Sequence, residues 1–280
     1  MPHDMLAVAT ASAHQRARGT LELSWKRRGP LTVLDDLRQD GCLKARFPRP
    51  VDRAEATTLN TGGGVAGGDR LTTTIALHAG TTATLAAQAA ERFYRALPAD
   101  PPAQVRTTIR LAAGAALEWL PQESILFDDA ALDRRLEIEM AGDASFLSVE
   151  ALVFGRTAMG ERVRQVRLSD TIRIRRDSRL VLHDAIRLHG PCAALLDRPA
   201  VGGGNSALAT LVLVAPDAAA RLGPVRMALA KMPVEAGASA WDGMLVVRLL
   251  ARDGAALRIA VVAALSPLRD GRRLPRVWMC

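Results

Sequence analysis

The sequence contains few cysteines and few aromatic residues. Its three cysteines, Cys42, Cys192 and Cys280, are odd in number and far apart in a chain of 280 residues. This usage argues against a disulfide framework and predicts a reducing compartment, the cytoplasm. Aromatic residues make up only 4% of the chain, so we expect a core built from Val, Leu, Ile and Ala.

Long apolar runs are also missing. No segment approaches the roughly 18 apolar residues that a membrane-spanning helix needs, and the apolar segment 208–215 has the length of a strand. The N-terminal stretch "MLAVATASA" follows Asp4 and lacks the basic region of a secretory signal. We therefore predict no membrane association, one domain over residues 1–280, and a loose N-terminal tail over residues 1–18.

Sequence signatures of catalysis and of stable metal binding are absent. The chain has no G-x-S-x-G, H-E-x-x-H or C-x-x-C motif, and no cysteine lies beside a histidine in a recognisable catalytic context. His183 and His189 are six residues apart, which on one strand separates them by about 20 Å. We predict that the protein is not an enzyme and holds no cofactor stably.

Lysine is nearly absent, and the net charge of +8 comes almost wholly from arginine. A basic surface can attract nucleic acid or acidic proteins. Tyr94 is the only tyrosine, however, so the chain offers poor platforms for base stacking. An arginine-rich β module that binds nucleic acid or an acidic protein is kept as the alternative function.

A repeated strand pattern indicates the fold. Segments 75–85, 109–119 and 138–148 each contain an apolar strand, an Ala-Gly turn and a second strand, at a spacing of about thirty residues. Segments 171–188 and 247–262 repeat the arrangement with other turns. We predict an all-β fold, mostly β with one or two short helices, arranged as a β-helix-like solenoid of stacked hairpins.

One segment has helical features. Residues 216–232 begin with Pro and Asp, which start helices, and continue into an Ala-rich stretch. We expect a partner interface in the C-terminal half of the chain, where this segment lies.

The segment "GGGVAGGDRL" contains a G-x-G-x-x-G spelling in Gly62, Gly64 and Gly67. A dinucleotide site needs a helix to begin at the third glycine. Here the residues that follow alternate between apolar and polar, with Leu71 and Ile75 among the apolar positions. This period of two predicts a strand. The glycines are therefore interpreted as serving backbone geometry.

Two acidic residues occupy apolar faces of predicted strands. Asp184 alternates with Ile186 and Leu188, and Glu150 shares a face with Leu152 and Phe154. A buried carboxylate is costly unless it is paired or hydrated. Either a nearby arginine pairs each acid or water reaches it.

Four motifs, taken in order, resemble the UreD (UreH) family of urease accessory proteins. They are "GGGVAGGDRL" (62–71), "WLPQESILFDDA" (119–130), "FGRTAMGE" (154–161) and "LPRVW" (274–278). The similarity spans most of the chain. The sequence departs from the family pattern at Ala86 and Ala87, where paired threonines are common, and at Asp184, where glutamate is more usual.

The resemblance implies a non-enzymatic role in assembling the urease nickel centre. Members of the family form a mostly β solenoid, bind UreF, which recruits the GTPase UreG, and dock on apo-urease (UreA, UreB and UreC). Gly67 and Gly68 are then a structural turn, and Asp69 lies near a water-filled passage for the ion.

Scattered carboxylates suit the passage that this resemblance implies. A tight cage of His or Cys would retain nickel(II), whereas carboxylates with water bind it weakly enough to release it. We therefore predict nickel(II) in transit, with Asp69, Glu150 and Asp184 as residues that line its passage.

Overall fold

The computed structural model describes residues 15–50, 52–156 and 160–279, and it is mostly β, with 53% strand and 14% helix. The strands are β1 (Arg18–Arg28), β2 (Leu31–Gly41), β3 (Leu43–Arg46), β4 (Ala54–Asn60), β5 (Arg70–Leu77), β6 (Thr82–Ala87), β7 (Glu91–Phe93), β8 (Ala103–Leu111), β9 (Ala116–Leu120), β10 (Ser124–Leu126), β11 (Ala130–Met140), β12 (Ser145–Phe154), β13 (Gln165–Arg176), β14 (Arg179–Pro191), β15 (Ala207–Val214), β16 (Glu235–Trp241) and β17 (Met244–Ala251). The helices are α1 (Cys192–Leu196), α2 (Leu222–Leu229) and α3 (Gly254–Leu268).

The strands form two sheets that the chain visits in alternation. The seven-stranded sheet has the order β14-β13-β11-β8-β5-β1-β2, and the ten-stranded sheet has the order β16-β17-β15-β12-β9-β6-β4-β3, with β10 pairing with β12 and β7 pairing with β10. Between β4 and β13 all pairings within each sheet are parallel. The path from β5 to β13 therefore coils between the two sheets.

The predicted period of about thirty residues is confirmed by strand register. Ile75 pairs with Ile109, Ile109 with Ile138, and Ile138 with Ile174, so successive coils place matching side chains in one row. All four isoleucines are buried in the core between the sheets.

The prediction of hairpins at segments 75–85, 109–119 and 138–148 is wrong, and the stacked-hairpin arrangement is not confirmed. In each segment the first strand belongs to the seven-stranded sheet and the second to the ten-stranded sheet, so the two do not pair. Gly80 and Gly114, with φ of +65° and +64°, lie in the turns that carry the chain across. The alternation of apolar and polar residues cannot distinguish a hairpin from a crossing between sheets, because each strand buries one face in both arrangements.

The other two predicted hairpins differ in outcome. Segment 171–188 is a true hairpin, since β13 and β14 pair antiparallel around Asp177 and Ser178. Segment 247–262 is not, because β17 ends at Ala251 and helix α3 follows. The Asp253 side chain accepts a hydrogen bond from the Ala256 amide at 2.8 Å and so caps that helix.

Helices cover the outer face of the ten-stranded sheet. The predicted helix within 216–232 is confirmed as α2, and α3 packs beside it against β15 and β17. One apolar core lies between the sheets, and a second lies between the ten-stranded sheet and the helices. In the described ranges no helix is both long enough and apolar enough to cross a bilayer.

The N-terminal tail was predicted too long. Its first 14 residues lie outside the described part of the chain. Arg18, however, is the first residue of β1, and the Ala17 amide donates a hydrogen bond to Asp69 at 2.8 Å. The sheet therefore begins inside the predicted tail.

Candidate functional site

A cavity of about 350 Å³ lies between the two sheets. One part of its wall is apolar, and another part carries charged and hydrogen-bonding groups, including those of Trp119, Ser124, Arg134 and Glu150. Other lining residues, such as Gln88 and Arg92, are exposed, so the cavity reaches the surface beside the segment before β7. The cavity therefore joins solvent to buried charges.

Arg134 holds two carboxylates at the polar end of the cavity. Its Nε and Nη2 donate to the two carboxylate oxygens of Asp170 at 2.9 and 2.6 Å. Its Nη1 lies 2.8 Å from Glu150 Oε2 and donates to Ser124 Oγ at 3.0 Å. Trp119 Nε1 donates to the other Glu150 oxygen at 3.0 Å. Each charge in this group is thus paired or hydrogen-bonded, as its burial requires.

Strand alternation places these side chains inside. Arg134 and Asp170 are cross-strand neighbours on β11 and β13 of the seven-stranded sheet. Glu150 lies on β12 of the opposite sheet, on the same face as the core residues Leu152 and Phe154, as predicted from the sequence. The ion pair between Arg134 and Glu150 therefore crosses the interior and links the two sheets.

Burial dominates the electrostatics of Glu150. Loss of water raises the pKa of this carboxyl, and although Arg134 lowers it, repulsion from Asp170 raises it further. The pKa of Arg134 is raised, because the attraction of Asp170 and Glu150 outweighs the effect of burial. The guanidinium is therefore the permanent charge of the group.

Asp184 belongs to a second, similar group. Arg248 Nη2 donates to Asp184 Oδ1 at 2.6 Å, and its Nη1 donates to Thr210 Oγ1 at 2.9 Å. The arginine partner that the sequence offered as one alternative for Asp184 is therefore present. The pair bridges β14 of one sheet and β17 of the other.

The two groups form one row of polar side chains between the two sheets, which is buried at Arg134 and reaches solvent at Arg248, a side chain that is 48% exposed. In the ten-stranded sheet Glu150 is in register with Thr210, and Thr210 with Arg248. In the seven-stranded sheet Asp184 is opposite Ile172, two residues from Asp170. We call this set the interior polar row; its members are Arg134, Glu150, Asp170, Asp184, Thr210 and Arg248.

Asp69 lies outside this row and outside the residues that line the cavity. Its carboxylate oxygens accept hydrogen bonds from the amides of Ala17 and Ala66, both at 2.8 Å. The side chain is buried and closes the turn that precedes β5. The structure thus gives Asp69 a capping role, and its contact with nickel stays a prediction.

The glycine turn has little room for side chains. A Cβ on Gly67 would lie 2.6 Å from Ala96 Cβ, and Gly68 has φ of +83°. The expected strand, β5, follows the turn in place of a helix. The dinucleotide interpretation of Gly62, Gly64 and Gly67 is therefore excluded on local structure.

Three of the four recognised motifs meet at one surface. Tyr94 donates to the Gly63 carbonyl oxygen in the glycine turn at 3.1 Å, and its ring stacks on Phe127 at 5.2 Å. The Arg156 guanidinium lies 4.7 Å from the centre of the Phe127 ring. Residues 157–159 of the third motif lie outside the described part of the chain.

The fourth motif packs against the second. Gln122 donates to the Val277 carbonyl oxygen at 2.9 Å, and Trp278 Nε1 donates to the Leu120 carbonyl oxygen at 3.1 Å. Arg258 of helix α3 donates to the Trp278 carbonyl oxygen at 2.8 Å. The end of the described chain is thereby fixed to the outer side of the ten-stranded sheet.

Sequence reasoning missed four buried ionic residues, which are Arg134, Asp170, Glu118 and Arg269. Arg134 and Asp170 are charged residues on the buried faces of β11 and β13, the same signal that identified Glu150 and Asp184. Glu118 is 3% exposed and pairs with Arg269 at 2.8 Å and with Arg272 at 2.5 Å. This last group lies on the helical side of the ten-stranded sheet and joins β9 to the segment after α3.

Histidines and cysteines contribute no metal centre in the described ranges. No group of three or more His, Cys, Asp and Glu side chains there is placed to hold an ion. His183 and His189 are exposed on the outer face of β14, opposite Arg173 and Arg167. The candidate site is therefore the cavity with the interior polar row.

Comparison with known proteins adds a family. A family model described as UreD urease accessory protein matches residues 17–279. Urease accessory protein UreD of Xanthobacter autotrophicus is 48% identical over 264 residues, which cover 94% of this chain and 90% of that protein. The protein of the same name from Rhizobium leguminosarum bv. viciae is 44% identical over 275 residues, covering 98% and 99% of the two chains.

Proposed function

The chain belongs to the UreD urease accessory protein family, and on this basis we propose that it is a non-catalytic scaffold and nickel conduit in urease maturation. It links apo-urease, made of UreA, UreB and UreC, to UreF and through UreF to the GTPase UreG. Nickel(II) passes through it as cargo, in the cytoplasm, and the chain keeps no resident cofactor.

The observation that carries the conduit proposal is the interior polar row. It places carboxylates at intervals between the two sheets, beginning at a cavity that reaches solvent. Each carboxylate already has an arginine partner, so none is an unopposed high-affinity ligand. Weak, repeated oxygen ligands favour passage over storage, since conduction requires that an ion also leave.

The helical layer supports the scaffold proposal. Met227 of α2 is 73% exposed and Ile259 of α3 is 59% exposed, on the two helices that cover the ten-stranded sheet. Exposed apolar side chains mark a protein interface where they form a contiguous patch. We propose that a partner of the urease system binds this layer.

Co-purification tests the scaffold proposal. The tagged full chain is co-expressed with UreF, UreG and apo-urease, in its natural form and as Met227→Asp with Ile259→Asp. The natural chain should retain the partners, whereas the double variant should lose at least one of them while staying folded. A control at Leu31→Asp, also exposed at 63% but on β2, should retain them all. Failure of the natural chain to bind any of these proteins contradicts the proposal.

The nucleic-acid alternative has less support. Several arginines on the outer face of the seven-stranded sheet have acidic neighbours, as in the pairs Arg106–Asp133 at 2.6 Å and Arg173–Glu137 at 3.9 Å. Paired arginines leave less free charge for phosphates. Binding to DNA that falls steeply with salt would favour this alternative.

A further inference from the structure

Arg134 is an internal cation at the place where a metal ion would meet the interior polar row. Its guanidinium contacts Asp170 at 2.6 and 2.9 Å and Glu150 at 2.8 Å, so both carboxylates face one small volume. Its side chain also lines the cavity, while Asp170 is not among the lining residues. Arg134 and Glu150 therefore both line the cavity, and Arg134 lies between the cavity and Asp170.

A divalent cation and this guanidinium cannot occupy the volume together. Both need the same carboxylate oxygens, and two positive charges a few Å apart in a buried site repel strongly. Carboxylate and water oxygens bind divalent cations, and nickel(II) accepts oxygen as well as nitrogen ligands. With Arg134 displaced, Glu150 and Asp170 would present such ligands without a counter-ion.

A buried hydroxyl lies two positions before Glu150 on β12. Ser148 is fully buried, and within the described residues its Oγ has no hydrogen-bond partner. It precedes Glu150 by two residues on β12 and so shares its inward face. A buried polar atom without a partner is uncommon and calls for an explanation, such as an ion or a water molecule.

We propose that Arg134 is a built-in counter-cation that closes a latent divalent-cation site formed by Glu150 and Asp170, with Ser148 beside it. The arginine swings into the cavity when a metal ion passes and returns when it has left. The site's biological meaning rests on the proposed nickel conduit. The site itself is a property of the chain and can be tested without partners.

The test is a nickel titration of the isolated full chain in two variants, Arg134→Met and Arg134→Gln, beside the natural chain. Both replacements remove the charge and leave an unbranched side chain that is shorter than arginine. Each variant should bind one nickel(II) per chain about tenfold or more tightly than the natural chain binds at this site. Adding Glu150→Gln to Arg134→Gln should abolish the gain. Arg110→Gln, which removes an exposed arginine, should leave nickel binding unchanged.

Unpaired buried carboxylates can prevent folding, so each variant is also prepared in the presence of nickel(II). A variant that folds only with nickel supports the site. A variant that stays unfolded with nickel, or that folds and binds nickel no better than the natural chain, overturns the proposal.

Activation of urease at limiting nickel separates this inference from the conduit. If Arg134→Gln traps nickel, urease assembled with it should contain less metal than urease assembled with the natural chain. Tight binding together with full activation leaves the latent site intact and contradicts the conduit instead.

Discussion

Arg134 on β11 and Glu150 on β12 form an ion pair across the interior, with Arg134 Nη1 2.8 Å from Glu150 Oε2. The two residues lie on consecutive strands of the coiled path but in opposite sheets. Asp170 binds the same guanidinium with both oxygens. Two carboxylates therefore share one guanidinium, and replacing one or the other should lower the stability of the fold by different amounts.

Asp170→Asn should destabilise the protein more than Glu150→Gln. Asp170→Asn removes the negative charge that binds Arg134 with both oxygens, so the buried guanidinium is less well neutralised. This should lower the free energy of unfolding by about 3–5 kcal/mol. Glu150→Gln leaves Arg134 paired with Asp170 and should cost less than about 2 kcal/mol. Urea unfolding of both variants measures the order, and an equal or reversed order would show that Arg134 depends on Glu150 instead.

Glu118→Gln should remove a pH-dependent part of the stability. Burial alone raises the pKa of Glu118, but the hydrogen bonds and charge of Arg269, with help from Thr84 and Arg272, hold the pKa below its ordinary value. A carboxyl group whose pKa is lower in the folded than in the unfolded chain stabilises the fold at pH values above the unfolded pKa. This stabilisation is lost as the pH falls through the folded pKa.

The substitution should therefore lower the free energy of unfolding by about 3–5 kcal/mol near pH 7. The difference in unfolding free energy between the variant and the natural chain should become smaller below about pH 4.3. Denaturation across this range measures it. Glu139→Gln, in an exposed pair with Arg110 at 3.9 Å, should change stability by less than about 0.5 kcal/mol at every pH. A pH-independent cost at Glu118 would contradict the assignment.

Asp69→Ala should lower the free energy of unfolding, because the Asp69 carboxylate caps the turn that precedes β5. The change leaves the amides of Ala17 and Ala66 without their acceptor, at about 1–3 kcal/mol. Asp69→Asn keeps one acceptor oxygen and should cost less. Thermal unfolding and urease nickel content are measured together. Reduced nickel transfer at unchanged stability would instead support the passage role that the family resemblance implies.

Gly67→Ala should destabilise the glycine turn because the added methyl group meets Ala96 Cβ at 2.6 Å. Overpacking of this kind costs about 1–3 kcal/mol. Gly223→Ala is the matched control: it lies in α2 with no atom within 4 Å of the added Cβ, and it should stabilise the chain by about 0.5–1 kcal/mol. Equal effects at the two glycines would show that the close contact is unimportant.

Alternation along single strands predicted much of the site. It placed Glu150 and Asp184 on inward faces, and Arg134 and Asp170 carried the same signal in "LDRRL" and "LSDTI". Partners could not be predicted in this way, because Arg248 lies 64 residues from Asp184, and Arg269 lies 151 residues from Glu118.

The sequence allowed the mostly β class and the repeat of about thirty residues to be predicted, but not which strands pair with each other. A strand with one buried face shows the same alternation whether it pairs with the next strand or crosses to another sheet. Gly254 after Asp253 suggested a hairpin turn, yet the aspartate caps helix α3. These choices depend on what the rest of the chain packs against each segment.

The nickel content of urease tests the conduit most directly. Apo-urease is activated at limiting nickel with UreF, UreG and either the natural chain or Glu150→Gln with Asp184→Asn, at equal amounts of assembled complex. The matched control, Glu139→Gln with Asp242→Asn, removes two exposed charges. We predict that the interior double variant lowers the nickel bound per urease active site and the activity in proportion, while the control changes neither. Full nickel loading with the interior double variant would contradict passage through the interior polar row.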